Sequence, residues 1–289
     1  MRTFARFAVI DWSGQATAYP KGLALAEAEA GTAAPALMRP QGGWSRARLF
    51  AWLDAHAEAG TDLLVGVDLS PGLPFVDAGA YFPGWPDSPR DVKALWRAVD
   101  DLSAADNHLS ASGFLAYPPV HTHFRHHTGQ GAAFTSGRGR LRVCEDEQRA
   151  MALSPSSCFN LVGAAQVGKS SLTGMRVLHR LAGRIPVWPF DPVPSAGPVI
   201  VEIYTSIAAR AAGIRKGLSK IRDRDSLDAA LRALGSDPHA GLANHDDHST
   251  DAIVTTAWLR AAAHRPGLWS PAALTPAIAR TEGWTFGVP

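Results

Sequence analysis

Three short apolar runs in this chain each end on a carboxylate: "RFAVID" closes at Asp11, "LLVGVD" at Asp68 and "VIVE" at Glu202. Short runs rich in Val, Ile and Leu, bounded by turn residues, read as buried strands. Segments of helical period separate and follow them. "GGWSRARLFAWLDAHAEAG" begins behind Ser45 as N-cap, repeats apolar residues at Leu49, Trp52 and Leu53, and closes at Gly60. "SSLTGMRVLHRLAG", "SIAARAAGIRKG", "SLDAALRALGS" and "DHSTDAIVTTAWLRAAAH" read as later helices. "KGLALAEAEA" and "APALMRPQ" read as two more strands in a hairpin or meander with the first, although the former also suits a helix. Strands interleaved with helices predict an α/β fold.

Residues 71–158 have a different texture. "SPGLPFVDAGAYFPGWPDSP" and "YPPVHTHFRHHTGQGAAFTSGRGR" are loop-like, with the helices "RDVKALWRAVDDLSAADNHL" and "CEDEQRAMAL" beside them. Loops this long inside a compact domain are usually functional. The expected organisation is one domain in two halves, residues 1–70 and 159–289, with residues 71–158 inserted as a lid.

Hydrophobic residues make up 46% of the 289 positions, enough for a sizeable core. A net charge of +2 is too mild to argue a nucleic-acid partner by itself. Such a partner needs a local patch, for which "SGRGRLRV" with Arg138, Arg140 and Arg142 is a candidate; the same run also fits a solvated loop. Cys144 and Cys158 have no metal-type spacing and form no disulfide framework. "MRTFARFAVIDW" lacks a signal-peptide core, and no apolar stretch reaches membrane-spanning length. The expectation is a cytoplasmic protein with no membrane partner.

The acids carry the chemistry. Asp11, Asp68 and Glu202 end strands, and sites in open α/β sheets form at strand ends. Asp247 and Asp251 are i and i+4 on the last helix, so they share a face, and His248 lies three before Asp251. Two carboxylates 4 Å apart repel by about 4 kcal/mol at an effective dielectric of 20. A divalent cation turns that repulsion into attraction, and an all-oxygen donor set favours Mg²⁺ or Mn²⁺ over zinc. Such clusters typically hold two metals around a phosphodiester. Taken singly, Asp11 before Ser-Gly also suits a turn, Asp247 an N-cap and Asp251 a solvated first turn. Glu202 inside "VIVEIY" is harder to set aside, because a carboxylate in an apolar strand needs a partner.

"GAAQVGKS" matches the phosphate-cradling P-loop spacing through Gly163, Gly168, Lys169 and Ser170. That motif requires a strand before it and a helix after it. The helix is expected here, but only "FNLV" precedes, and Glu202 stands where a downstream Asp is usual. Two readings stay open: an ATP- or GTP-binding protein, or a loop-to-helix turn whose backbone N–H groups and Lys169 hold a substrate phosphate. In "HTHFRHH", His121, His123, His126 and His127 do not have zinc spacing; Arg125 and the histidines offer phosphate or base contacts, or are partly exposed loop residues. Trp12 falls near the acids, where it would stack on a base or pack in the core.

The pieces "VIDWSG", "LLVGVDLSPG", "VWPFDP", "VIVEIYTS", "DHSTDAIVTTAWLR" and "EGWTFGVP", in that order, resemble the family known only as domain of unknown function 429. That family is regarded as a predicted nuclease of RNase H-like fold. "HSTDA" is also similar to the final motif of Holliday-junction resolvases, with a His or Asp three before the catalytic Asp. The resemblance implies a mixed RNase H-like sheet, three antiparallel strands then two parallel, with helices on both faces. It implies a Mg²⁺- or Mn²⁺-dependent hydrolysis of DNA or RNA. Asp11, Asp68, Glu202 and Asp251 would ligate metal, with Asp247 or His248 as an extra ligand or base. A catalytically inactive adaptor of the same fold is the remaining alternative.

Overall fold

The computed structural model describes residues 2–127, 129–134, 137–163, 166–214 and 220–289. Strands β1 (Arg6–Asp11), β2 (Ala24–Glu29) and β3 (Ala36–Met38) form an antiparallel meander. Helix α1 (Arg46–Glu58) follows, capped by the Ser45 side chain on the Arg48 N–H, and returns the chain to β4 (Leu63–Val67). β4 pairs with β1 in parallel, in the register Ile10 to Val67.

The chain then runs through α2 (Val92–Leu102), α3 (Ser112–Ala116), α4 (Pro118–His121) and α5 (Val143–Ala150) into the long α6 (Val167–Arg180). β5 (Val187–Trp188) and β6 (Val199–Glu202) complete a mixed sheet of order β3-β2-β1-β4-β6-β5. Helices α7 (Thr205–Ala211), α8 (Arg224–Ala233), α9 (Asp247–Ala262) and α10 (Pro276–Thr281) follow. The parallel part therefore has three strands where two were expected. β5 is confined to two residues because Pro186 and Pro189 flank it, and proline has no N–H for the ladder.

Two apolar layers sandwich the sheet. On one face Ile10, Val65 and Val67 pack with Leu49 of α1 and Leu172 and Met175 of α6. Aromatic residues of the 71–158 block, including Phe82, Phe114, Phe124 and Phe159, belong to this same cluster. On the other face Val9, Leu64 and Val201 pack with Trp258 and Leu259 of α9, and with Trp284 and Phe286. α9 lies across β1 and β2, where its small residues Ala252 and Ala257 allow close approach. The closing "EGWTFGVP" pairs Thr285 with Glu202 in a single bridge and buries Trp284, Phe286 and Val288 completely. Burying large apolar side chains such as these contributes about 1.5–3 kcal/mol each.

"FNLV" is not a strand. It joins the structure through one isolated bridge between Arg125 and Asn160, away from the sheet. No helix among the described residues is long and apolar enough to cross a membrane.

Candidate active site

The register of the parallel strands decides which acids meet. The ladder runs one residue past each strand: the Asp68 N–H donates to the Ile10 carbonyl at 2.9 Å, and the Ile203 N–H to the Val67 carbonyl at 3.0 Å. Asp11 and Asp68 are therefore neighbours on adjacent strand ends, which lie about 4.8 Å apart. Side chains alternate between faces, so these two lie on the α9 side, with Val9 and Leu64. Glu202 is in register with Val67, whose side chain faces α6, and so leaves the sheet on the opposite side.

Helix α9 brings the other half of the site. Asp246 caps it, accepting from the Ser249 N–H and Oγ, which fixes the first turn above the end of β1. The His248 Nδ1–H donates to Asp11 Oδ2 at 2.7 Å. The imidazole's other edge rests against Gly22, where an added Cβ would come within 3.2 Å of Nε2. Asp251 follows one turn later. Burial pushes its carboxyl up to about 7, and the charges of Asp11 and Asp247 push the same way. Burial also holds Asp68 well above the usual carboxylate range, reinforced by Asp11, Asp251 and Glu202. Asp11 is raised by burial against the opposing pull of His248. The hydrogen bond to Asp11 raises His248 above an ordinary histidine.

The remaining acids are engaged elsewhere. Glu202 is held by Arg142, with Nη1 to Oε2 at 2.8 Å and Nη2 to Oε1 at 2.5 Å, and accepts from Thr285 Oγ1 at 2.8 Å. Arg142 is fully buried and also binds Glu145, Ser70 Oγ and the Glu282 carbonyl. Asp247 turns outward to Lys220 at 2.5 Å and Arg222 at 2.6 Å, and its hydrogen bond from Lys220 is the main reason its carboxyl sits below the usual range.

Two cavities meet at Trp12 and Ser170. The smaller, of about 160 Å³, is floored by Asp68, Glu202, Arg142 and Tyr204. The larger, of about 870 Å³, is lined by Ser13, Lys21, Lys169, Ser170, Thr173 and His248. Trp12 is the wall between them, pinned by its Nε1–H to Thr173 Oγ1 at 3.1 Å rather than free to swing onto a base. Lys169 and Ser170 lie in the first turn of α6, whose N-cap Gln166 makes no side-chain capping bond. Gly14, three residues past Asp11, packs directly on the Lys169–Ser170 backbone, so any Cβ there would overlap it. Gly168 serves packing, against the Cys158 carbonyl, and Gly163 is exposed with φ +75. Ala164 and Ala165, inside the P-loop spacing, lie outside the described residues.

A third cavity, of about 460 Å³, borders the acidic one at Pro155 and Ser156 and contains Arg125, Arg138 and Arg149. Arg140 is not part of it. Its guanidinium is bound to Asp77 and to the carbonyls of Pro74, Ala80 and Tyr81, a structural clamp on the 71–158 block. The sequence reading missed Lys21, for which nothing local signals a role, and the pairing of Arg142 with Glu202. The charge of an acid inside an apolar strand does announce that a partner exists.

Scanned against protein-family models, curated proteins and solved structures, the chain matches none.

As for a metal, the donors are hard oxygens, and among the described residues Asp68 and Asp251 have no Lys or Arg ion-pair partner. Among the same residues no three His, Cys, Asp or Glu side chains are drawn together as tightly as in a preformed metal site. Once ionised, Asp11, Asp68 and Asp251 against one imidazolium leave two net negative charges, which one divalent cation balances. By chemistry and charge the group suits an oxygen-seeking ion such as Mg²⁺ or Mn²⁺.

Proposed function

We propose that this chain is a divalent-metal-dependent nuclease of the RNase H-like class, related to the domain of unknown function 429, that hydrolyses nucleic-acid phosphodiesters. The observation that carries the reading is the meeting of Asp11, Asp68, Asp251 and His248 at one end of the sheet, with basic cavities on either side. Carboxylates raising one another's pKa at the edge of a cleft are a recurrent mark of catalytic sites. Asp68 and Asp251, with Asp11, would hold the ion. When bound, Mg²⁺ or Mn²⁺ would make water easier to deprotonate and would offset charge on the phosphate.

The chain's own groups do the rest. Lys169 grips a substrate phosphate, and Arg125 and Arg138 receive the strand on the far side of the acids. Water gives up one proton to bulk solvent as it attacks phosphorus, the P–O bond to the leaving oxygen breaks, and that oxygen takes a proton. His248, kept protonated by Asp11, is placed to give it from Nε2. Glu202, neutralised by Arg142, braces the floor of the site without binding the ion.

The test is cleavage of end-labelled single-stranded DNA, duplex DNA and RNA with Mg²⁺ or Mn²⁺. Wild type should cut at least one, and Asp11→Asn should cut about 10³-fold more slowly while keeping its circular dichroism spectrum. Failure of wild type to cut any of the three with either ion overturns the reading. Binding without cleavage, unchanged in Asp11→Asn, identifies an inactive adaptor instead.

A further inference from the structure

The large cleft does not end at Lys169. Past Lys169, Ser112 and Leu115 it opens into another cavity, of about 300 Å³. Leu115, Ala116, Leu161 and Val162 give this cavity apolar walls, and His121, His126 and His127 line its remaining side. Among the described residues its one Lys or Arg is Lys169, at the mouth it shares with the cleft.

The imidazoles of His121 and His126 are stacked, with centroids 4.0 Å apart and planes 22° from parallel. Each ring is pinned by one nitrogen: His121 Nδ1 to the Leu115 carbonyl at 3.0 Å, and His126 Nε2 to the His121 carbonyl at 3.2 Å. Burial lowers His126 below an ordinary histidine, against the opposing pull of its hydrogen bond to the His121 carbonyl. A fixed, stacked aromatic pair in an apolar recess, one side chain away from Lys169, matches a nucleotide in layout: a flat aromatic base attached to an anion. It matches neither a second phosphate nor a metal ion.

We propose that this cavity is a nucleobase subsite, in which an unpaired base stacks on the His121–His126 pair while Lys169 holds the neighbouring phosphate. A base inside a duplex already has both faces covered, so the site selects single-stranded nucleic acid. The inference rests on the nuclease reading and names its substrate class.

Fluorescence anisotropy in EDTA tests it, with single-stranded DNA, single-stranded RNA and an abasic strand of equal length as probes. Wild type should bind one of the base-bearing strands about tenfold more tightly than the abasic one, the worth of a single stacked base. His126→Ala should reduce that ratio to about one, and His126→Phe should restore it, because the ring and not the imidazole nitrogen is required. Lys169→Ala should weaken all strands alike. Equal binding of abasic and base-bearing strands by wild type overturns the subsite, as does a ratio that survives His126→Ala in a folded variant. The two readings fail separately. Cleavage without base dependence removes only the subsite, and base-dependent binding without cleavage removes only the nuclease.

Discussion

Asp251 and His248 are three residues apart and titrate in opposite senses to what each needs alone. Burial delays ionisation of Asp251 to about 7, and the Asp11 hydrogen bond delays deprotonation of His248. A divalent ion must displace the proton from Asp251, so its affinity should rise with pH through 7, with proton release on binding. Isothermal titration calorimetry in two buffers of different ionisation enthalpy measures this, and Asp251→Asn should abolish the release. The rate of cleavage should fall at higher pH as His248 loses its proton. His248→Gln should lower kcat about 10²–10³-fold and erase that falling limb, which a pH–rate profile reads directly. At Gly14 the requirement is steric. Gly14→Ala must push the first turn of α6 away from β1 and should raise KM for substrate about tenfold or more.

Among the elements, β1, β4, β6, α1, α6 and α9 were legible because their signals are local: apolar runs, an N-cap serine, a helical repeat. Whether Glu202 joins Asp68 was not, because that depends on register between strands more than a hundred residues apart. A shift of one residue in β6 would have turned its carboxylate to the α9 side. "FNLV" was ambiguous for a related reason: three apolar residues around Asn160 fit a strand or a buried loop equally, and the sheet edge is taken by β5. The consequence for stability belongs to the same strand. Arg142→Met leaves a buried, unpaired Glu202 and should cost about 3–5 kcal/mol in urea unfolding. Replacing Arg142, Glu145 and Glu202 together by Met should cost much less, because an isolated buried charge is the expensive part.

For the molecule as a whole, the acidic cluster opposes folding. Asp68 and Asp251 have carboxyls raised above the unfolded value of 3.8, so the folded state holds its protons more tightly than the unfolded one. Their stabilising contribution is complete below pH 3.8 and is lost as pH rises toward 7. In EDTA, Asp251→Asn should therefore raise Tm at pH 8 by about 2–4 °C per kcal/mol relieved, and should do little at pH 4. Mg²⁺ or Mn²⁺ should raise the wild-type Tm at pH 8 and leave Asp251→Asn nearly unmoved, which differential scanning fluorimetry resolves. The class of fold was readable from the alternation of strands and helices. The basic cavities beside the acids were not, because Arg125 and Arg138 on one side and Lys169 on the other are positioned only by packing of the 71–158 block and α6 on the same face of the sheet.

Arg142 waits a long time for its counter-charges during synthesis. Glu202 emerges sixty residues later, and Thr285 with the Glu282 carbonyl later still. A nascent chain halted before Glu202 holds a guanidinium destined for the interior with only Glu145 to meet it.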